Sequence, residues 1–117
     1  MKNRNVAILS AVLLLVSPQL LWANMSYQTG DIIFHVSKSQ QSLGIQKATK
    51  SRYSHMGLIV NKDGKAWVLE AVQPVKYTAL QQWIDRGVER HYVVKRFKTN
   101  LTVQQKQQLS KLSLIHI

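Results

Sequence analysis

The sequence predicts an α+β fold, an antiparallel sheet with flanking helices, and three observations predict it. Two short runs rich in β-branched and aromatic residues, Ser54–Val60 and Ala66–Val72, are joined by Asn61-Lys62-Asp63-Gly64-Lys65, and Asp-Gly between such runs is the strongest short-range hairpin signal. Two four-residue capping patterns, Thr78-Ala79-Leu80-Gln81 and Thr102-Val103-Gln104-Gln105, open helical stretches between and after the strands. Residues 24–111 form one stretch without repeats or low-complexity tracts, long enough for one small core.

The hairpin register follows from the turn. With Asp63-Gly64 as a two-residue turn, Lys62 faces Lys65, Val60 faces Trp67, Leu58 faces Leu69 and Met56 faces Ala71, so one face is wholly apolar. The other face carries His55, Gly57 and Ile59 with Val68, Glu70 and Val72. A three-residue turn would slip the register by one and place Glu70 among Met56, Leu58 and Val60, so the apolar pattern selects the first register. Glu70 then lies across from Gly57 and diagonal to His55, at a separation of roughly 7–8 Å that a Glu side chain spans.

A carboxylate that holds an imidazole fixes its tautomer and stabilises its protonated form, as a general base serving a nucleophile requires. Taken alone, such a pair is more often a structural contact between strands than a catalytic one. Ser54, next to His55, points to the opposite side of its strand and does not serve as its nucleophile. His35 and His91 read as packed or surface strand histidines. No zinc-helix His pair, phosphate-cradling glycine loop or Gly-x-Ser-x-Gly elbow occurs, and His35, His55 and Glu70 have no metal-specific spacing, so neither metal nor cofactor is expected.

The remaining elements are read in order. Residues 1–23 place Lys2 and Arg4 before the apolar run Val6–Val16 and end at Leu21-Trp22-Ala23, the pattern of a secretory signal peptide; the run is shorter than a membrane span of roughly 20 apolar residues. Export, to a periplasm-like compartment, is therefore expected. The sequence contains no Cys, which excludes lipoprotein attachment. Residues 24–117 hold 14 Lys+Arg against 5 Asp+Glu, a net +9, which for an exported chain points to anionic lipid headgroups and cell-wall polymers rather than nucleic acid. Asp31–Val36 reads as a strand, Ser37–Lys50 as a helix with Ser39 as N-cap, Val75–Thr78 as a short extended piece, Thr78–Gly87 as a helix with Leu80, Trp83 and Ile84 inward, and His91–Phe97 as a strand. The sheet face bearing His55, Gly57 and Glu70 requires a covering helix, expected from later in the chain.

Thr29–Phe34, Ser39–Thr49, Tyr53-Ser54-His55-Met56-Gly57, Leu69–Val75 and His91–Arg96 together resemble the YiiX/YebB-like permuted papain-fold cysteine hydrolases of the NlpC-type superfamily, over nearly all of residues 28–98. The resemblance implies that His55 is the base, that Glu70 orients it, and that the nucleophile is a Cys on a helix that follows the sheet. It also implies hydrolysis or acyl transfer at an amide or ester bond of a lipid or cell-wall peptide. The sequence departs from the pattern in having no Cys, and Ser110 and Ser113 have no nucleophile motif around them. Leu112–Ile117 resembles translated sequencing-adapter sequence, so residues 24–111 are expected to be the N-terminal part of such a domain and 112–117 a non-native tail. The alternative is a non-catalytic basic module that binds peptide or lipid headgroups in the same cleft.

Overall fold

A computed structural model describes the backbone of residues 26–115 and the side chains as far as Leu112; the expected signal peptide lies outside the described residues. The chain runs β1 (Ile32–His35), α1 (Ser42–Thr49), β2 (His55–Lys62), β3 (Lys65–Glu70), β4 (Lys76–Ala79), α2 (Leu80–Arg86), a 3-10 turn (Val88–Arg90), β5 (Tyr92–Lys95) and α3 (Val103–Ile115). The five strands form one antiparallel sheet in the order β4-β3-β2-β1-β5. The α+β class is thus observed, with α3 continuing through Leu112 to Ile115.

The β2–β3 hairpin has the expected register, with Leu58 opposite Leu69, Val60 opposite Trp67 and Lys62 opposite Lys65. Asp63 (φ 52°) and Gly64 (φ 72°) are both left-handed, as a two-residue turn matched to strand twist requires. Ile33, Ile59, Val68, Trp83 and Ile84 form the core on the His55–Glu70 face, each burial being worth roughly 1.5–3 kcal/mol. The covering helix is α2, directly after the sheet's edge strand, because Trp83 is completely buried against Val68 and Gly57. The opposite stripe is half covered: Met56 is 52 % exposed, whereas Val60 is buried.

Two caps fall differently from expectation. The Thr102–Gln105 box forms as read, Gln105 N–H donating to Thr102 Oγ1 (3.1 Å) and Thr102 N–H to Gln105 Oε1 (2.9 Å). The Thr78 box does not form, since Thr78 is in β4 and its hydroxyl donates to Glu70 Oε1 (2.6 Å) instead of capping α2. Ser39 does not cap α1 either. That helix starts at Ser42 after a turn in which Ser42 N–H donates to the Ser39 carbonyl, and Leu43 and Ile45, its expected apolar face, are exposed. Its anchor is polar: buried Ser42 donates its hydroxyl to buried Ser54 Oγ (2.6 Å), which also accepts from Ser37 N–H (2.8 Å).

The far end of β1 is fixed by Asp31, which is 1 % exposed and accepts both a two-pronged contact from Arg96 (2.7 Å to each oxygen) and Gln28 N–H (2.8 Å). Lys95-Arg96-Phe97-Lys98, which interleaves an aromatic with cations, is thereby partly accounted for: Arg96 closes the sheet end rather than waiting for an anionic partner.

Candidate active site

The site is built on the pairing of β1 with β2 and β2 with β3. Strand alternation puts His55 and Glu70 on one face, and Gly57 between them leaves the gap clear; a Cβ there would fall 2.2 Å from Val68 Cγ1. His55 Nε2 lies 2.8 Å from Glu70 Oε2. The expected geometry is therefore present, with both side chains on the buried face and away from Met56 and Leu58.

Glu70 is a hub. Besides His55 it accepts Trp83 Nε1–H (3.1 Å) on Oε2, and Thr78 Oγ1–H (2.6 Å) and the Arg86 guanidinium on Oε1. Burial at 1 % exposure works against its charge, but the hydrogen bonds from Thr78, His55 and Arg86 and the Arg86 charge outweigh it and hold the carboxyl below the usual range. An ionised carboxylate only accepts, so His55 Nε2 carries the proton of this contact. The other ring nitrogen, Nδ1, is left for a reacting partner. Reading the sequence missed Thr78, Trp83 and Arg86 in this role; Trp83 was legible as an inward residue, but its N–H donor and the Arg86 contact depend on where α2 crosses the sheet.

His35 sits directly opposite His55 across β1 and β2. It is 2 % exposed, stacks on Trp83 with ring centroids 3.8 Å apart and 17° between planes, and lies 5.4 Å from the His55 ring. Burial, then the charges of His55 and Arg86, push its pKa down to about 4, against the smaller opposing effects of Glu70 and a hydrogen bond with the Trp83 backbone. His91 is on the exposed side near Tyr53 (3.4 Å) and does not join the site.

These shifts give stability a stepped pH dependence. The unfolded chain takes a proton on His35 near its ordinary value of 6.5 and the folded chain only near 4, so stability should be complete above about pH 6.5 and fall on acidification to about pH 4, by on the order of 3 kcal/mol. Asp31, held low by Arg96 and Gln28 despite its burial, and Glu70 add a second loss below about pH 4, as each is protonated through its lowered folded value. Urea unfolding from pH 8 to 3 should show both steps, and His35→Phe should remove the upper one; a profile flat between pH 6.5 and 4 would contradict a neutral buried His35.

His55, with 23 % of its side chain exposed, opens onto a cleft of about 810 Å³ between the Ser37–Gln41 turn and the end of β3, lined by Ser37, Lys38, Gln73 and Arg86 among others. On its other side a smaller cavity of about 410 Å³ is lined by Phe34, Ile45, Tyr53 and Met56. Ser54 lines both but its oxygen is engaged by Ser42 and Ser37. Among the described residues no group of three His, Cys, Asp or Glu side chains that could hold a metal is assembled.

Residues 26–117 match the family described as permuted papain-like amidase enzyme, YaeF/YiiX, C92 family. The chain is 50 % identical over 111 residues to the protein YiiX of Escherichia coli (strain K12), covering 95 % of this chain and 52 % of that protein. It also superposes on the crystal structure of a protein titled metalloprotein yiiX, from Escherichia coli O157:H7, with a TM-score of 0.75 at 50 % identity, over 77 % of this chain and 50 % of that one. The chain thus spans about half the length of these relatives. A match across most of its length, on the sheet that carries His55 and Glu70, makes the chain a member of the permuted papain-like amidase family of YaeF and YiiX.

Proposed function

We propose that the chain contributes the base and orienting half of an exported thiol amidase, acting on an amide or ester bond of a lipid or cell-wall peptide, with the thiol supplied by native sequence that continues beyond residue 111. The observation that carries this is His55, clamped through Nε2 to an ionised, four-times hydrogen-bonded Glu70, with Nδ1 directed away from the clamp beside an open cleft. A thiol is the suited nucleophile, since an adjacent imidazole converts it to thiolate near neutral pH.

The step follows from that geometry. The thiol proton passes to His55 Nδ1, and the thiolate sulfur bonds to the substrate carbonyl carbon. The carbon–nitrogen or carbon–oxygen bond breaks as the imidazolium returns the proton to the leaving group. A water molecule, deprotonated in turn by His55, cleaves the thioester and restores the thiol. Glu70 stabilises the imidazolium throughout without leaving its four partners. The polar cleft with Lys38 and Arg86 and the apolar cavity with Phe34 and Met56 meet at His55, which suits a substrate with an apolar part and an anionic or polar part. The net +9 of residues 24–117 favours an anionic membrane or wall surface as the place of action.

The relative titled a metalloprotein raises the question of a metal here. Both Glu70 oxygens already accept two hydrogen bonds each, and His35 is sealed between Trp83 and Gly87, so His55 Nδ1 is the one open ligand atom of this cluster. The described residues do not make up a metal's ligand set, and the step above uses none.

The test is turnover of acyl-amide and ester substrates, with thiol-specific labelling, by a protein extended with its native downstream sequence. Hydrolysis lost on mutation of a labelled Cys supports the reading. A downstream frame without Cys would replace it with the non-catalytic binding module. Export is tested apart: N-terminal sequencing should find a mature protein beginning near Asn24, and a cytoplasmic protein still beginning at Met1 would remove the extracytoplasmic substrates.

A further inference from the structure

We propose that His35 is a positioning residue: a flat ring, stacked on Trp83 and lying beside His55, that sets the orientation of the His55 imidazole and so aims its free nitrogen at the cleft. This rests on His55 acting as the base. Nothing in the catalytic step uses His35, yet its placement is not that of an ordinary core residue. Its Nδ1 is buried with no hydrogen-bond partner, a cost that a Leu or Phe at the same position would not carry.

The room for this ring is built deliberately at one backbone position. At Gly87, just past α2, a Cβ would stand 2.9 Å from His35 Nδ1 and 3.1 Å from its Cγ. The φ of −71° there is open to any residue, so close approach rather than backbone conformation is what calls for glycine. Val88 N–H donating to the Val36 carbonyl (2.9 Å) ties this turn to the strand end that carries His35.

The consequence for His55 is geometric. Its ring is held at one edge by Glu70, but a single hydrogen bond leaves rotation about that contact open. His35 at 5.4 Å and 36°, and Trp83 at 5.8 Å and 23°, supply a surface against which the ring lies, at separations usual for interacting aromatic rings. Trp83 is in turn fixed by its N–H bond to the same Glu70 oxygen that His55 uses. The three rings and the carboxylate therefore form a closed set in which each member restrains the next.

The groups facing His35 are His55 from β2, Glu70 from β3 and Arg86 from α2, two of them cationic or able to become so and one anionic. Its sealed position and the two cationic neighbours keep the ring uncharged when His55 takes a proton, so the proton stays on the ring that faces the cleft.

The decisive comparison is between His35→Phe, which keeps a flat ring, and His35→Leu, which fills similar space without one. Both are apolar and suited to the core, and thermal unfolding checks that each folds. The readout is the ring 15N spectrum of His55 in each chain, which reports tautomer and exchange and needs no turnover. His35→Phe should keep the single Nε2–H tautomer of the parent chain, and His35→Leu should raise the minor tautomer several-fold. In the extended enzyme the same change should lower kcat and leave KM nearly unchanged. A folded His35→Leu chain with the parent tautomer population, or a His35→Phe chain that loses it, overturns the proposal. If His55→Ala leaves hydrolysis intact, it is the role of His55 that fails, and the tautomer result stands apart from it.

Discussion

Replacing Glu70 by Ala is expected to destabilise the fold by about 3–5 kcal/mol, the cost of removing one partner from a buried charged cluster. The reason is the number of groups it strands. Trp83 Nε1 is left buried without an acceptor, the Arg86 guanidinium loses its anionic partner, and Thr78 and His55 each lose an acceptor. Glu70→Gln keeps the volume and one accepting oxygen, but its amide nitrogen meets donors on one side, so a smaller loss of about 1–3 kcal/mol is expected. Urea unfolding at pH 7 measures both. A Glu70→Ala chain within 1 kcal/mol of the parent, on the scale set by a buried pair, would show that the carboxylate is not the hub of the site.

The second large effect is on chemistry. In the extended protein, His55→Ala should reduce hydrolysis by about 10³–10⁴-fold, since it removes both the group that generates the thiolate and the proton donor to the leaving group. Stability should change little by comparison, because His55 is partly exposed and Glu70 keeps its three other donors. That contrast separates the two residues: Glu70 variants lose fold and activity together, whereas His55→Ala loses activity in a chain that still folds. Initial rates on acyl-amide substrates, set beside the unfolding curves, decide it. Full activity in His55→Ala would remove the base from the account.

Much of this site was legible from local patterns. The Asp63-Gly64 turn and the two-residue period of the flanking runs were enough to place His55, Gly57 and Glu70 on one face, because a hairpin is fixed by near neighbours in sequence. The errors came where a side chain had two uses. Thr78 has the spacing of a helix cap, yet its hydroxyl serves Glu70 eight residues away. Ser39 likewise resembles a cap, but Ser54 captures the Ser37 N–H and Ser42 hydroxyl and delays the helix. The sheet face of His55 and Glu70 calls for a covering helix, and Trp83 of α2 fills that place while Met56 on the other face stays exposed. His35 and Arg86 could not be joined to the site by spacing at all. Their contacts arise from the β1–β2 pairing and from the crossing of α2, which are properties of the folded sheet.

The central claim is that Glu70 fixes His55 as the Nε2–H tautomer with Nδ1 free. The most direct measurement is the ring 15N spectrum of His55 in the 15N-histidine-labelled chain, recorded at a pH where the imidazole is neutral and assigned by comparison with His55→Ala. The expected result is a protonated, pyrrole-like Nε2 and an unprotonated, pyridine-like Nδ1 in slow exchange, with Glu70→Gln shifting the population toward a mixture. A predominant Nδ1–H form, or two tautomers averaging freely in the parent chain, would contradict it.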